Sequence, residues 1–236
     1  MNKINIAKIL ALSFFALNFT ACISGENNDN QRELKDLSGF TRISFSISGN
    51  LILTQSDSFL VETEGSPASL DALIILVEGQ TLVIKTKPGW KNLGDVTVNV
   101  KMPVVEGLSV AGSGNIHAEG PITSQKIDFS ITGSGNIEFK KLMAEATNAS
   151  IAGSGNIIIS GESKTSFDAS ITGSGNINCE NFESSDVNVN ITGSGKAKVF
   201  AMENLSTNIV GSGDVYYRGR PLVKANSTGS GKTKAI

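Results

Sequence analysis

Few residues in this chain are of a type that does chemistry, and their spacing is informative. Seven copies of Gly-Ser-Gly begin at Gly112, Gly133, Gly153, Gly173, Gly193, Gly211 and Gly229, so a serine hydroxyl recurs at intervals of 21, 20, 20, 20, 18 and 18 residues. A nucleophilic serine needs a base and a third group to orient that base. The chain has a single histidine, His117, and no histidine or lysine keeps a fixed offset from the repeated serines. A phosphate-cradling glycine loop requires a helix after the glycines and a lysine or acid at set positions, neither of which is present in the pattern. Calcium-binding glycine repeats place aspartate in every turn. Here the residue after the triplet is Asn115, Asn136, Asn156, Asn176, Lys196, Asp214 and Lys232, and a lysine repels the ion.

The isolated candidates fare no better. His117 has no second histidine, cysteine or acid at metal-ligand spacing and is expected on the outer surface. Cys179 falls in an apolar column and is expected to be a buried, inert thiol. No catalytic, cofactor-binding or metal-ligating residue is therefore assigned, no cofactor is expected, and the chain reads as a non-enzyme.

Two residues suggest binding or attachment instead. Lys3 and Lys8 precede an apolar run from Ile9 to Phe19, which ends in Thr20-Ala21-Cys22. That is a secretory signal over residues 1–21, too short for a permanent span, with a small residue ahead of a cysteine, as lipid-attaching enzymes require. Cys22 is the expected lipidation site, carrying a palmitoyl-type acyl anchor. Residues 22–35 form a polar tether from that anchor to the folded body. The expected address is an exported outer-membrane lipoprotein, facing the periplasm or the cell surface, with the lipid membrane as its first partner. Trp90, in Pro88-Gly89-Trp90-Lys91, is expected on an exposed loop, where an aromatic ring offers a stacking platform for sugar. It is the candidate binding residue. Tyr216 and Tyr217 are the other large polar aromatics, and Tyr217 falls on an inward position.

With the leader removed, the chain keeps a formal charge of −4, which excludes nucleic acid as an expected partner. Cys179 is the only cysteine besides Cys22, so no intrachain disulfide framework is available and stability must come from packing.

The elements that carry these residues follow from period-two alternation. Two residues before each triplet stand Val110, Ile131, Ile151, Ile171, Ile191, Ile209 and Ser227; after it come pairs such as Ile137 and Phe139, or Ile177 and Cys179. Outward positions hold Ser130, Ser150, Ser170, Asn190, Asn208 and Asn226, a flat polar face. Like residues at like offsets predict coils stacked directly on one another. The fold class is all-β: a parallel β-helix-like solenoid of about 20-residue coils over residues 108–236, continuous with an irregular β portion over 36–107 that caps it. Glycine recurs where a corner needs positive φ or close backbone approach, and the following asparagines suit left-handed geometry. Leu73–Val77 and Leu82–Thr86 read as a hairpin, with Ser69–Leu76 as the one competing helix. The last coil, with Ser227 and Ala235 inside and Lys232 and Lys234 on its edge, reads as a terminal cap.

The repeated G-S-G-N-I after an alternating strand, the lipoprotein leader, and the strand-rich lead-in ending at Met102-Pro103 resemble the head GIN domain family of auto-transporter adhesins, over roughly residues 40–220. The resemblance implies a β-helix-like solenoid on exported bacterial proteins, many of them lipoproteins. It brings no catalytic or binding residue. The expected function is that of a lipid-anchored, adhesin-like envelope protein presenting a face to a glycan or an envelope macromolecule. Two alternatives stand beside it: a polysaccharide-acting β-helix enzyme, which needs clustered carboxylates where this chain has scattered ones, and a structural envelope component that self-associates through its coil ends. Oligomeric state is left open.

Overall fold

The computed structural model describes residues 30–90 and 93–236. Cys22, the leader and most of the tether lie outside the described residues; Gln31–Lys35, expected as the end of the tether, are instead a strand, paired antiparallel with residues 61–65. In chain order the elements are β1 (Gln31–Lys35), β2 (Arg42–Ser46), β3 (Asn50–Gln55), β4 (Leu60–Gly65), α1 (Pro67–Asp71), β5 (Leu73–Glu78), β6 (Thr81–Thr86), β7 (Val96–Met102), β8 (Gly107–Gly112) and β9 (Asn115–Glu119). The long strands follow: β10 (Ile122–Gly133), β11 (Asn136–Gly153), β12 (Asn156–Gly173), β13 (Asn176–Gly193), β14 (Lys196–Gly211), and then β15 (Asp214–Arg218), β16 (Leu222–Gly229) and β17 (Lys232–Ala235).

From β8 onward every pairing is parallel, and the segments flanking the glycine triplets are in register. Ile131 lies beside Val110 on one side and Ile151 on the other, and the column continues through Ile171, Ile191 and Ile209 to Ser227. The aliphatic members of this column are buried. Stacking puts like on like because a parallel ladder repeats its spacing without slippage, and one coil alone buries too little to order itself. Aromatic pairs fill the wider parts of the interior, Phe129 against Phe139 with centroids 4.9 Å apart and Phe167 against Phe182 at 5.5 Å.

The glycine triplets are the corners. Gly133 has φ of +123°, and a Cβ there would lie 2.5 Å from the carbonyl oxygen of Gly112 in the coil below. A Cβ on Gly135 would meet the Gly114 oxygen at 2.4 Å. Both glycines are thus required by close backbone approach, and the first also by its dihedral. The approach is used: Ser134 N–H donates to the Gly112 carbonyl at 2.8 Å and Asn136 N–H to that of Gly114 at 3.1 Å. The asparagines have a different reason from the one expected. No non-glycine described residue has positive φ, so they are not left-handed; their side chains are what the corner selects.

The second bend of each coil lies within the long strands, at register shifts near Ala144 and Ser184. Buried serines close it locally: Ser163 Oγ donates to the Ser166 carbonyl at 2.7 Å and Ser184 Oγ to that of Asp186 at 3.2 Å.

The N-terminal portion is continuous with the solenoid, but its stacking order departs from chain order. β2–β3 sits between β8–β9 on one side and β6–β7 on the other, all parallel. Gly49 serves as its corner glycine, a Cβ there lying 2.6 Å from the Val96 carbonyl oxygen. The end is then closed by antiparallel strands, β5 on β6 and β4 on β7, with β1 added to β4. The hairpin expected around Gly79 is β5–β6. The helix expected over Ser69–Leu76 instead begins two residues earlier, at Pro67, and already ends at Asp71. Pro67 begins it and the Ser66 hydroxyl accepts from Ser69 N–H; the β-branched run beyond Ala72 pairs with β6 as strand. Leu70, Ala72, Leu93 and Phe40 are buried at this end.

Among the described residues the opposite end has no such closure. All eight residues of β16 are exposed, and no described element covers it. The expected cap is simply the last coil, with its outer edge bare.

Candidate functional site

Trp90 sits on the loop from β6 to β7. The loop leaves the sheet with Lys87 N–H donating to the Ala72 carbonyl at 2.8 Å, and Gly89 at φ of +93° makes the reversal that places the indole. The ring is 44% exposed and is the only exposed aromatic side chain among the described residues. It borders an open cleft of about 250 Å³ that it shares with the hydroxyl-bearing Thr86, Ser46, Ser48 and Ser113, with Ile47 and Leu93 contributing apolar wall. An exposed indole beside several hydroxyls is the arrangement that stacks a sugar ring while hydrogen-bonding its periphery.

The cleft opens onto the corner ridge. There the serines of successive triplets, beginning with Ser48 and Ser113, are exposed in a column with a rise of about 4.8 Å per coil. Beside them runs an amide ladder. Asn115 Nδ2 donates to Asn50 Oδ1 at 3.1 Å, Asn136 to Asn115 at 2.7 Å, Asn156 to Asn136 at 2.8 Å and Asn176 to Asn156 at 2.9 Å. Each amide donates to the coil below, so five side chains are fixed in one rotameric state. A second, shorter series pairs acid with amide: Asn148 donates to Asp128 at 2.8 Å, Asn188 to Asp168 at 2.9 Å and Asn204 to Asp186 at 2.7 Å.

A larger hollow of about 570 Å³ lies at the junction between the N-terminal portion and the repeat coils, lined in part by Arg42, Gln55, Glu106, Lys126, Asp128 and Glu145. Its carboxylates are already engaged. Asp128 is paired with Arg42, Glu106 accepts from the Thr41 hydroxyl at 2.7 Å, and Glu145 pairs with Lys164 at 2.8 Å. That contact raises the Lys164 pKa, through the hydrogen bond first and the charge of Glu145 second. Gln55 acts as a clamp, its amide donating to the carbonyls of Pro103 and Thr123 and its oxygen accepting from Thr123 N–H at 2.7 Å. The hollow is a joint between two parts of the chain.

The remaining sequence candidates are placed as follows. His117 is on the outer face, partly exposed, with Nδ1 3.2 Å from Glu138 Oε2. Cys179 is fully buried, and loss of solvation pushes its thiol well above its ordinary range despite the backbone contact at Ile159. Tyr217 is half-buried against the core, as its column implies. No group of three or more His, Cys, Asp or Glu side chains that could hold a metal ion occurs among the described residues. Sequence reasoning did not extend the asparagine ladder to Asn50 or find the Gln55 clamp. The Ser48-Gly49-Asn50 echo of the later corners was the available signal for the first; nothing local marks the second.

Comparison with known proteins bears on this arrangement. The sequence profile of the family described as "Putative auto-transporter adhesin, head GIN domain" matches residues 39–221. A "putative adhesin" from Bacteroides fragilis superposes with a TM-score of 0.84 at 24% identity, covering 89% of this chain and 98% of that one. A "putative lipid binding protein" from Parabacteroides distasonis gives 0.76 at 26% identity, with 89% and 98% coverage. A "putative adhesin" from Parabacteroides merdae gives 0.69 at 21%, with 89% and 97%. No protein of curated function matches the chain. A profile match spanning most of the chain, together with a stacked parallel solenoid shared along nearly its whole length with these structures, establishes that the chain belongs to the auto-transporter adhesin, head GIN domain family.

Proposed function

We propose that this protein is a non-enzymatic, lipid-anchored envelope protein that holds a glycan through the Trp90 cleft and the serine and asparagine ridge that continues from it. The adhesin-like character comes with the family. The finer reading rests on one observation above all, the exposed indole of Trp90 set beside Thr86, Ser46, Ser48 and Ser113 at the head of a rigid polar ridge. A flat surface whose side chains are fixed by coil-to-coil hydrogen bonds loses little entropy when a ligand lies on it, which favours an extended polymer over a small molecule. Attachment at Cys22 would place β1, and with it the closed end, toward the membrane, because the tether enters the fold there.

The test is retention of the chain on a panel of immobilised cell-envelope polysaccharides, compared with Trp90→Ala. Loss of one stacked ring is expected to weaken binding by up to about tenfold, since an aromatic contact contributes on the order of 0.5–1.5 kcal/mol. Equal retention of both proteins, or none of either, would remove the glycan reading.

A further inference from the structure

Charge is distributed unevenly along the solenoid. Residues 103–195 carry four lysines and arginines against ten acids, whereas residues 196–236 carry seven against two. The excess concentrates at the C-terminal end, in Arg218 and Arg220 at the close of β15 and just beyond it, and in Lys224, Lys232 and Lys234 of the last coil, all exposed. Several cations elsewhere are matched: Arg42, Lys87, Lys164 and Lys198 each lie within 4 Å of a carboxylate oxygen. None of these five C-terminal cations makes an ion pair among the described residues. Arg218 instead donates to Glu180 carbonyl and Asn181 Oδ1 and lies 5.1 Å from the Phe200 ring centroid, while Lys234 lies over Tyr216. The nearest acid, Asp214, is spent on Lys232 N–H at 3.1 Å and on Tyr216 Oη at 3.3 Å.

The same coil has an unused ladder. Among the described residues β16 pairs only with β14 and β17 only with β15, and the outer N–H and C=O groups of both strands have no partner there. Its inward column is also uncovered. Val223 is 43% exposed although Leu205, its counterpart one coil below, is 1% exposed, and Ala225 is exposed although its counterpart Thr207 is buried; Leu222, 79% exposed, lies on the outward face opposite Asn204. The other end of the solenoid, by contrast, is closed by antiparallel strands and α1. Lysines alone would serve to discourage edge pairing. Unmatched charge, a free parallel edge and an open apolar row together describe half of an interface.

We infer that the C-terminal coil docks an extended, acidic polypeptide segment of another protein, added as the next rung over β16 and β17. Main-chain hydrogen bonds would supply the pairing, Val223 and its neighbours a place for alternate apolar side chains, and the lysines the preference for carboxylates. A second copy of this chain docked through the same end is disfavoured because it would set two cationic coils against each other. An anionic polysaccharide would satisfy the charge and leave the backbone edge and apolar row unused. This surface is separate from the Trp90 cleft, so the two readings stand or fall independently.

The probe is an eight-residue peptide of alternating glutamate and valine, capped at both ends and labelled for fluorescence anisotropy against the full chain. Saturable binding is expected, weakened about tenfold or more by Lys224→Gln with Lys232→Gln and by raising salt from about 0.05 to 0.5 M. It should be abolished by a peptide with proline at two central positions, which cannot complete a ladder. Both substituted lysines are exposed, and an unchanged thermal transition checks that the variant is folded. Absence of binding, equal binding of the proline peptide, or stronger binding of a sulfated polysaccharide unaffected by that peptide would overturn the inference, as would a salt-resistant dimer in light scattering that the peptide does not disperse.

Discussion

Replacing Gly155 by alanine isolates the contact on which coil stacking depends. The backbone of Gly155 is not left-handed, so alanine meets no dihedral penalty there; the cost is contact alone. An added Cβ would lie 2.4 Å from the Gly135 carbonyl oxygen and 2.7 Å from Ile131 Cγ2, against ordinary contacts of 3.4–4 Å. The carbonyl belongs to the adjacent corner and cannot rotate away. Relief requires the two corners to separate by about 1 Å, which stretches the bonds from Gly155 N–H to Gly133 and from Asn156 N–H to Gly135, both 3.1 Å. Two hydrogen bonds at about 1 kcal/mol each, plus overpacking of about 1–3 kcal/mol, give a loss of about 3–5 kcal/mol. Gly79→Ala is the complementary control: φ is +61° and nothing lies within 4 Å of the added Cβ, so only the left-handed strain of about 1–2 kcal/mol applies. In a chain of this size a kilocalorie moves the melting temperature by about 2–4 °C. Circular dichroism melts should therefore place Gly155→Ala about 6–20 °C below the parent and Gly79→Ala about 2–8 °C below it, the first shift being two- to threefold the second. Equal destabilisation by the two substitutions would refute the argument that close corner approach, and not glycine's backbone freedom, fixes the third residue of the triplet.

Three further outcomes follow from individual side chains. Thr147 Oγ1 is buried without a hydrogen-bond partner, so Thr147→Val, equal in shape, should stabilise the fold by about 1 kcal/mol in denaturant unfolding. Asn156 both donates to Asn136 and accepts from Asn176, whereas Asn176 only donates; Asn156→Ala should cost about 1–2 kcal/mol and Asn176→Ala about half as much, read by the same unfolding curves. Burial raises the Cys179 thiol above its ordinary value of 9.0. Below that pH both folded and unfolded forms keep the proton; above it only the unfolded chain releases it, so the stability contribution is present at neutral pH and is lost as pH rises past about 9. Unfolding free energies of Cys179→Ala should fall less steeply with pH above 9 than those of the parent, by up to about 1.4 kcal/mol per pH unit.

The repeat half was legible because its signal is redundant. Ile131, Ile151, Ile171 and Ile191 recur at one offset from a fixed triplet, and any one of them could be changed without hiding the period. The N-terminal portion lacks that redundancy. Its alternation identified strands such as β2 and β7, but the placement of β2–β3 between later segments depends on contacts between residues far apart in sequence, Arg42 with Asp128 and Gln55 with Thr123. The helix was misplaced because Leu73–Leu76 is apolar in a way that suits either element, and pairing with β6 decided it. The asparagine column was visible while its purpose was not: periodicity gives a position, and only the observed φ values and amide distances distinguish a left-handed turn from a ladder. Of the binding candidates, the exposure of Trp90 followed from its Pro-Gly context; the cleft around it joins Ser46 to Ser113 across the stack and has no linear signature. The cationic last coil was written in the charge count, and its meaning emerged only with the bare edge beside it.

The proposed function requires the solenoid to be exported and held in the envelope on an acyl anchor. Metabolic labelling with radioactive palmitate, alongside treatment of cells whose outer membrane alone has been opened with an amine-reactive biotin reagent that does not cross the inner membrane, addresses this directly. The account predicts palmitate label on the parent that is absent from Cys22→Ser, and biotin on the exposed lysines of the last coil, Lys232 and Lys234. Palmitate label that persists in Cys22→Ser, or biotin on these lysines only after the inner membrane is also broken, would contradict it.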